Sequence, residues 1–240
     1  MIELRNFSKS YSSGQGIFAV KDFSMTCKKG EITGLLGLNG AGKTTILKAV
    51  AARHFATSGE VFVEGIEAGE FPEKVRDLTG FVQEEPDFPG EQTVLEFLRI
   101  VADLHGARPV IQIPDIEELL PKKIRTLSKG QKERVNFAQA LIYNPRVLVL
   151  DEPASGLDPA QIINMRSMVR SLKSGRTILL STHLMQEVEA LCDKVYIIHE
   201  GRLAASGTSG EIASMSRCRN LEEAFLKITS RSGGEGRWEG

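Results

Sequence analysis

The chain has 240 residues, 41% hydrophobic and 25% charged, enough to bury a full α/β core and ordinary for a globular domain. Its formal net charge of −1 gives no general attraction to nucleic acid. No run approaches about 18 consecutive apolar residues, and Met1-Ile2-Glu3-Leu4-Arg5 has neither the basic head nor the apolar middle of a signal peptide.

Alternating apolar residues at Ile2 and Leu4, then at Phe18, Val20, Phe23 and Met25, predict an antiparallel strand pair joined by the loop Ser12-Ser13-Gly14-Gln15-Gly16. Residues 32–36 predict a buried strand and residues 45–52 a helix. Between them, Gly37-Leu38-Asn39-Gly40-Ala41-Gly42-Lys43-Thr44 fits G-x-x-x-x-G-K-[ST] in the strand-to-helix setting that pattern requires. Glycines let the backbone fold tightly around an anion, and the N–H groups of the turn and of the first helical residues converge on phosphates. Lys43 is expected at the β- and γ-phosphates, with the Thr44 hydroxyl on Mg²⁺. An ordinary connection needs no Lys-Thr at that place, so this loop, with Thr45 after it, predicts a nucleoside triphosphate site.

Further strands are expected at residues 60–63 and 80–83, the second ending in the polar Gln83-Glu84-Glu85. Residues 91–144 read as helical, opened by Thr93 with Glu96 three positions on, a capping box. The segment Leu127-Ser128-Lys129-Gly130-Gln131 precedes a helix running to Ile142. Then Arg146-Val147-Leu148-Val149-Leu150-Asp151-Glu152-Pro153 is an apolar run ending in two acids, the pattern of a strand buried on both faces that delivers charge to a site. Asp151 is placed to hold a metal and Glu152 to orient or deprotonate water. Ser155-Gly156-Leu157-Asp158 follows, then a helix near 159–172, a strand at 177–180, His183, a helix at 184–191 and a strand at 195–198. That alternation predicts a parallel sheet with helices on its faces. Cys27, Cys192 and Cys218 have no metal spacing and cannot all pair, so reduced thiols in cytosol are expected.

Taken in this order, these six motifs resemble the nucleotide-binding subunit of an ATP-binding cassette (ABC) transporter over nearly the whole chain. The resemblance implies a phosphate-loop NTPase fold: a RecA-like, mainly parallel sheet core, an N-terminal antiparallel β subdomain and an inserted helical subdomain near 91–144. It further implies one domain over 1–229, ATP and Mg²⁺ as ligands, and Thr44, Gln83 and Asp151 around the metal; the small, polar run Ser230-Arg231-Ser232-Gly233-Gly234-Glu235-Gly236 itself predicts a disordered tail over 230–240. Glu152, His183 and Gln83 become the catalytic group. Tyr11 matches the adenine-stacking aromatic, and Ser128, Gly130 and Gln131 match the signature loop that meets ATP from a second cassette packed head to tail. An integral membrane permease is the implied partner, with the chain peripheral on the inner face of the membrane.

The chain departs from the family pattern in two places. Lys129 stands where the signature usually has glycine, as in many export-type cassettes, and Asn220-Leu221-Glu222-Glu223-Ala224-Phe225-Leu226 resembles their tail helix. The link from Gly106 to Leu127 is short and carries Pro109, Pro114 and Pro121, leaving room for one short helix around 115–120.

Duller readings stand beside these. Ser128 and Gln131 form a capping box whatever else they do. His183 can be a strand-end histidine, Gln83 a solvated amide, and Tyr11 a core residue. The basic residues Lys122, Lys123, Arg125, Lys129, Lys132 and Arg134 lack interleaved aromatics, so a solvated face is expected rather than nucleic-acid binding. Export is the expected function; the alternative is a soluble cassette ATPase in cofactor or complex assembly. A chromosome-maintenance ATPase needs long heptad arms between its motifs, and fewer than ninety residues separate Lys43 from Ser128.

Overall fold

A computed structural model describes residues 1–11, 17–107 and 116–230. The loop at 12–16, Pro109, Pro114 and the tail beyond Ser230 lie outside the described residues. Strand β1 (Ile2–Ser10) pairs antiparallel with β2 (Phe18–Cys27), with Ile2 opposite Cys27 and Leu4 opposite Met25. Strand β3 (Ile32–Leu36) leads through the phosphate loop into α1 (Lys43–Val50). β4 (Ser58–Val63) and the two-residue β5 (Ile66–Glu67) return to the first sheet, whose order is β2-β1-β4-β5.

The middle of the chain opens with α2 (Pro72–Leu78), where Pro72 sits in the first turn, at which a missing N–H costs nothing. It runs straight into β6 (Thr79–Val82). Then α3 (Val94–Leu104) begins with the expected capping box: the Glu96 N–H donates to Thr93 Oγ1 at 3.2 Å and the Thr93 N–H to Glu96 Oε2 at 2.8 Å. Within its described part, the short helix expected near 115–120 is a single 3-10 turn at Glu117–Leu119, followed by another at Ile124–Thr126. Their buried Ile116, Leu119 and Ile124 pack in one cluster with Leu98 and Ala102 of α3. Helix α4 (Lys129–Leu141) follows, capped by Ser128.

The remaining elements are β7 (Val147–Asp151), α5 (Pro159–Leu172), β8 (Thr177–Thr182), α6 (Met185–Leu191), β9 (Lys194–His199), β10 (Arg202–Gly207), α7 (Ser209–Met215) and α8 (Leu221–Ser230). Ser230 thus closes a helix rather than opening a tail. The second sheet has the order β10-β9-β3-β8-β7-β6, parallel from β9 to β6 with β10 antiparallel at its edge.

The unbroken apolar run of β7 has a direct cause in packing. Val147 and Val149 enter the cluster shared with α1 and the antiparallel sheet, whereas Leu148 and Leu150 enter the one shared with α3, α4 and α5. Both faces are covered, so no position of the strand is left for a polar residue until its carboxyl end. Each such Val or Leu contributes about 1.5–3 kcal/mol on burial. Register then aligns the functional ends: Leu36 lies opposite Thr182, Asp151 opposite Ser181, and Val82 opposite Leu150. The phosphate loop, Gln83, Glu152 and His183 all leave the carboxyl edge of one sheet, where ligands of open α/β folds bind.

Candidate functional site

The phosphate loop owes its path to two tight glycines. A Cβ on Gly37 would stand 2.6 Å from the Ile198 carbonyl oxygen. Gly42 has φ 107°, and a Cβ there would stand 2.7 Å from the Ala19 oxygen. No other residue fits without displacing backbone, so the loop closes against β2 and β9 and α1 starts at Lys43. A cavity of about 270 Å³ lies over this start, bounded by Asn39, Gly42, Lys43, Thr44, Thr45 and Glu152 among others.

Lys43 is 6% exposed, and its ammonium donates to the carbonyls of Gly37 at 2.8 Å and Leu38 at 3.3 Å. It also lies 3.1 Å from Glu152 Oε1, in an ion pair whose acid is only 7% exposed. The other carboxylate oxygen, Oε2, lies 2.9 Å from His183 Nδ1 and accepts from the His183 N–H at 3.3 Å. Glu152 therefore bridges Lys43 and His183. Its backbone is left-handed, with φ 46°, a conformation that costs a non-glycine residue about 1–3 kcal/mol and that persists only where its surroundings impose it. Here the Glu152 N–H donates to Ser181 Oγ at 3.1 Å.

Ser181 also donates to Asp151 Oδ1 at 2.7 Å, and Thr44 Oγ1 donates to the same oxygen at 3.3 Å. Burial raises the Asp151 pKa and the neighbouring Glu152 charge adds to the rise, while the two hydroxyls and Lys43 oppose it. A buried carboxylate beside a hydroxyl is the all-oxygen chemistry of a hard divalent cation that shares its remaining positions with phosphate and water, so Thr44 and Asp151 fit Mg²⁺. Gln83 is held separately: Asn136 Nδ2 donates to its carbonyl oxygen at 2.7 Å, and its N–H donates to Asn136 Oδ1 at 3.4 Å.

Tyr11 is 58% exposed, which removes the core reading. Its hydroxyl lies 2.8 Å from His54 Nδ1 and 3.2 Å from Thr45 Oγ1, which sets the ring beside the first turn of α1. Ser128, Gly130 and Gln131 stand apart. Ser128 Oγ accepts from the Gln131 N–H at 3.3 Å and Gln131 Oε1 from the Ser128 N–H at 3.0 Å, a complete capping box. Gly130 packs on Gln161 of α5, and Lys129 lies over Gly156. Among the described residues, none of the three is hydrogen-bonded or ion-paired to Lys43, Thr44, Asp151 or Glu152.

Ser181, His54 and Asn136 belong to no motif of the sequence, yet each contacts a site residue. The signal for Ser181 was a small hydroxyl ending an apolar strand beside the acid-tipped one. Asn136 was visible as a polar residue amid Val135, Phe137 and Ala138, all of them buried.

A phosphate loop opening a helix at the carboxyl edge of a mainly parallel sheet, with a buried acid pair on the next strand but one, defines a phosphate-loop nucleoside triphosphatase. Residues 20–155 match the family model described as ABC transporter. The chain is 38% identical over 216 residues to Nod factor export ATP-binding protein I of Burkholderia orbicola (strain AU 1054), covering 86% of this chain and 70% of that protein. Its fold matches a solved ATP-binding subunit of an ABC transporter with a TM-score of 0.86 at 30% identity, covering 95% of this chain and 99% of the other. A dimeric cassette solved with ADP and Pi shares the fold at a TM-score of 0.78 and 24% identity, covering 87% of this chain and 98% of that one. The aligned span ranges from 64% of one relative's length to 97% of another's. The chain belongs to the ABC transporter family, as its ATP-binding ATPase subunit. Among the described residues no helix is long and apolar enough to cross a membrane.

Proposed function

We propose that this chain hydrolyses ATP·Mg²⁺ as one of two cassettes packed head to tail, and that the cycle drives export through a membrane permease on whose inner face the cassette sits. The observation that carries the reading is the placing of Glu152 between Lys43 and His183 at the mouth of the phosphate loop. Lys43 has two protein carbonyls to orient it and one acid to neutralise it. A γ-phosphate entering the cavity competes with Glu152 for that cation and frees the carboxylate to receive a proton.

Hydrolysis then runs by in-line attack. Water oxygen bonds to the γ-phosphorus, the bond to the β–γ bridging oxygen breaks with its electron pair leaving on ADP, and Glu152 takes the water proton. His183, whose Nδ1 lies 2.9 Å from Glu152, orients that base and faces the departing phosphate. Thr44, Asp151 and Gln83 would hold Mg²⁺, which would neutralise charge on the phosphates. Tyr11 offers its exposed ring to adenine, and the backbone N–H groups from Gly37 to Thr45 offer an anion cradle.

Ser128, Gly130 and Gln131 serve the ATP of the second cassette, consistent with their separation from this chain's own phosphate loop. In this reading residues 1–229 form a single cassette, and the relative named for Nod factor export favours the outward direction. The test is recovery from membranes. A multi-span membrane protein is expected to co-purify with the chain and to couple its turnover to transport. A chain recovered only with a soluble assembly factor contradicts export while leaving the ATPase intact.

A further inference from the structure

Among the described residues, strand β6 lies at the edge of its sheet, with β7 on one side only. Buried carbonyls along such an edge need partners. Helix α4 and the residues just after it provide them from side chains. Tyr143 Oη donates to the Thr79 oxygen at 2.8 Å, Gln139 Nε2 to the Phe81 oxygen at 2.9 Å, and Asn136 Nδ2 to the Gln83 oxygen at 2.7 Å. Asn136 and Gln139 share a face of α4, with Tyr143 two residues past its end, and 79, 81 and 83 alternate along β6 and the residue after it, so helix and strand run antiparallel as a polar zipper. Asn136 differs from the other two members. It is fully buried, it binds both the carbonyl and the N–H of its partner, and that partner is Gln83. Asn136 also stands eight residues, or about 12 Å along the axis, from Ser128 at the start of the same helix.

We propose that Asn136 is a positioning residue for ATP hydrolysis: pairing with both the N–H and the carbonyl of Gln83, it fixes the Gln83 side chain at the metal and makes it follow the helix that carries the signature loop. This rests on the proposed metal role of Gln83. A purely structural Asn136 would do for Gln83 only what Gln139 does for Phe81, which is to satisfy an edge carbonyl.

The experiment is a double-mutant cycle between Asn136→Leu and Gln83→Ala, with Gln139→Leu as control. It reads kcat, the Mg²⁺ concentration for half-maximal hydrolysis, ATP affinity and Tm. Asn136→Leu is expected to lower kcat roughly tenfold to a hundredfold, the cost of misplacing a catalytic group by about 1 Å, and to raise the Mg²⁺ requirement with ATP affinity unchanged. The double variant should be no worse than Gln83→Ala alone, and Gln139→Leu should lower Tm while keeping kcat. If Gln83→Ala is itself silent, the metal role of Gln83 fails, and the proposal with it. If Gln83→Ala is impaired but Asn136→Leu keeps full kcat, or the two losses add in the double variant, Asn136 is structural and the proposal is overturned. Asn136→Ala, which introduces no bulk, is read in the same way should the leucine variant not fold. Failure of both to fold assigns Asn136 to stability and also overturns it.

Discussion

Glu152 Oε2 lies 2.9 Å from His183 Nδ1 while Oε1 of the same carboxylate lies 3.1 Å from Lys43 Nζ, so a single acid ties the end of β8 to the phosphate loop. Replacing Glu152 with Gln keeps the shape and removes the proposed base. Hydrolysis should fall by at least about a hundredfold while ATP still binds, as steady-state turnover beside equilibrium nucleotide binding will measure. Preserved turnover would transfer the task to His183.

The same ion pair makes Lys43→Ala more than a binding variant. Loss of the cation should weaken ATP affinity about tenfold to a hundredfold. It also removes the cation paired with a buried carboxylate that keeps only its His183 contacts, at a stability cost of up to about 3–5 kcal/mol. Adding Glu152→Gln should recover much of the Tm without recovering ATP affinity; recovery of both would remove Lys43 from the site.

Ser181 is expected to set the acid limb of activity through Asp151. Burial already raises the Asp151 pKa, and the Ser181 hydroxyl holds it down. For a raised acid, the stabilisation is complete below its ordinary value of 3.8 and is lost as pH rises through the folded value. Ser181→Ala lifts that value further, so the acid limb of Mg²⁺-dependent kcat/KM should move to higher pH. An unmoved limb would mean that Asp151 does not control it.

Glu133, on the same helix as Asn136, gives a pH test independent of ATP. Burial is the main cause that pushes its pKa up to about 7 from 4.5, against hydrogen bonding by Asn136 and the Lys129 charge. The neutral acid is preferred in the folded chain, so this contribution to stability is complete below about pH 4.5 and lost as pH rises through 7. Glu133→Gln should flatten that slope and raise stability above pH 7 by about 1–3 kcal/mol, measured as denaturant midpoints across pH. A wild-type slope of the opposite sign would show Glu133 ionised in the fold.

Much of this site was legible in the sequence because its chemistry is local. The phosphate loop declares itself through contiguous residues, the doubly buried strands through runs such as Val147 to Leu150, and the helix starts through Thr93 with Glu96 and Ser128 with Gln131. Short or half-exposed elements escaped. β5 is two residues long, β10 shows no buried position to create a period, and α2 buries only Val75. Non-local polar contacts escaped too: Ser181 meets Asp151 across 30 residues, and Asn136 meets Gln83 across 53. The left-handed Glu152 was invisible because no glycine marks it.

The composite site is the central claim, and the association state of the Glu152→Gln protein with ATP tests it most directly. Light scattering or analytical ultracentrifugation should show a dimer that forms only with ATP. Ser128→Arg should abolish that dimer while the monomer still binds ATP, whereas Ser128→Asp preserves the helix cap, worth about 1 kcal/mol, and separates the cap from the contact. A dimer that survives Ser128→Arg, or a monomer that hydrolyses ATP at the full rate, would contradict ATP shared between two cassettes.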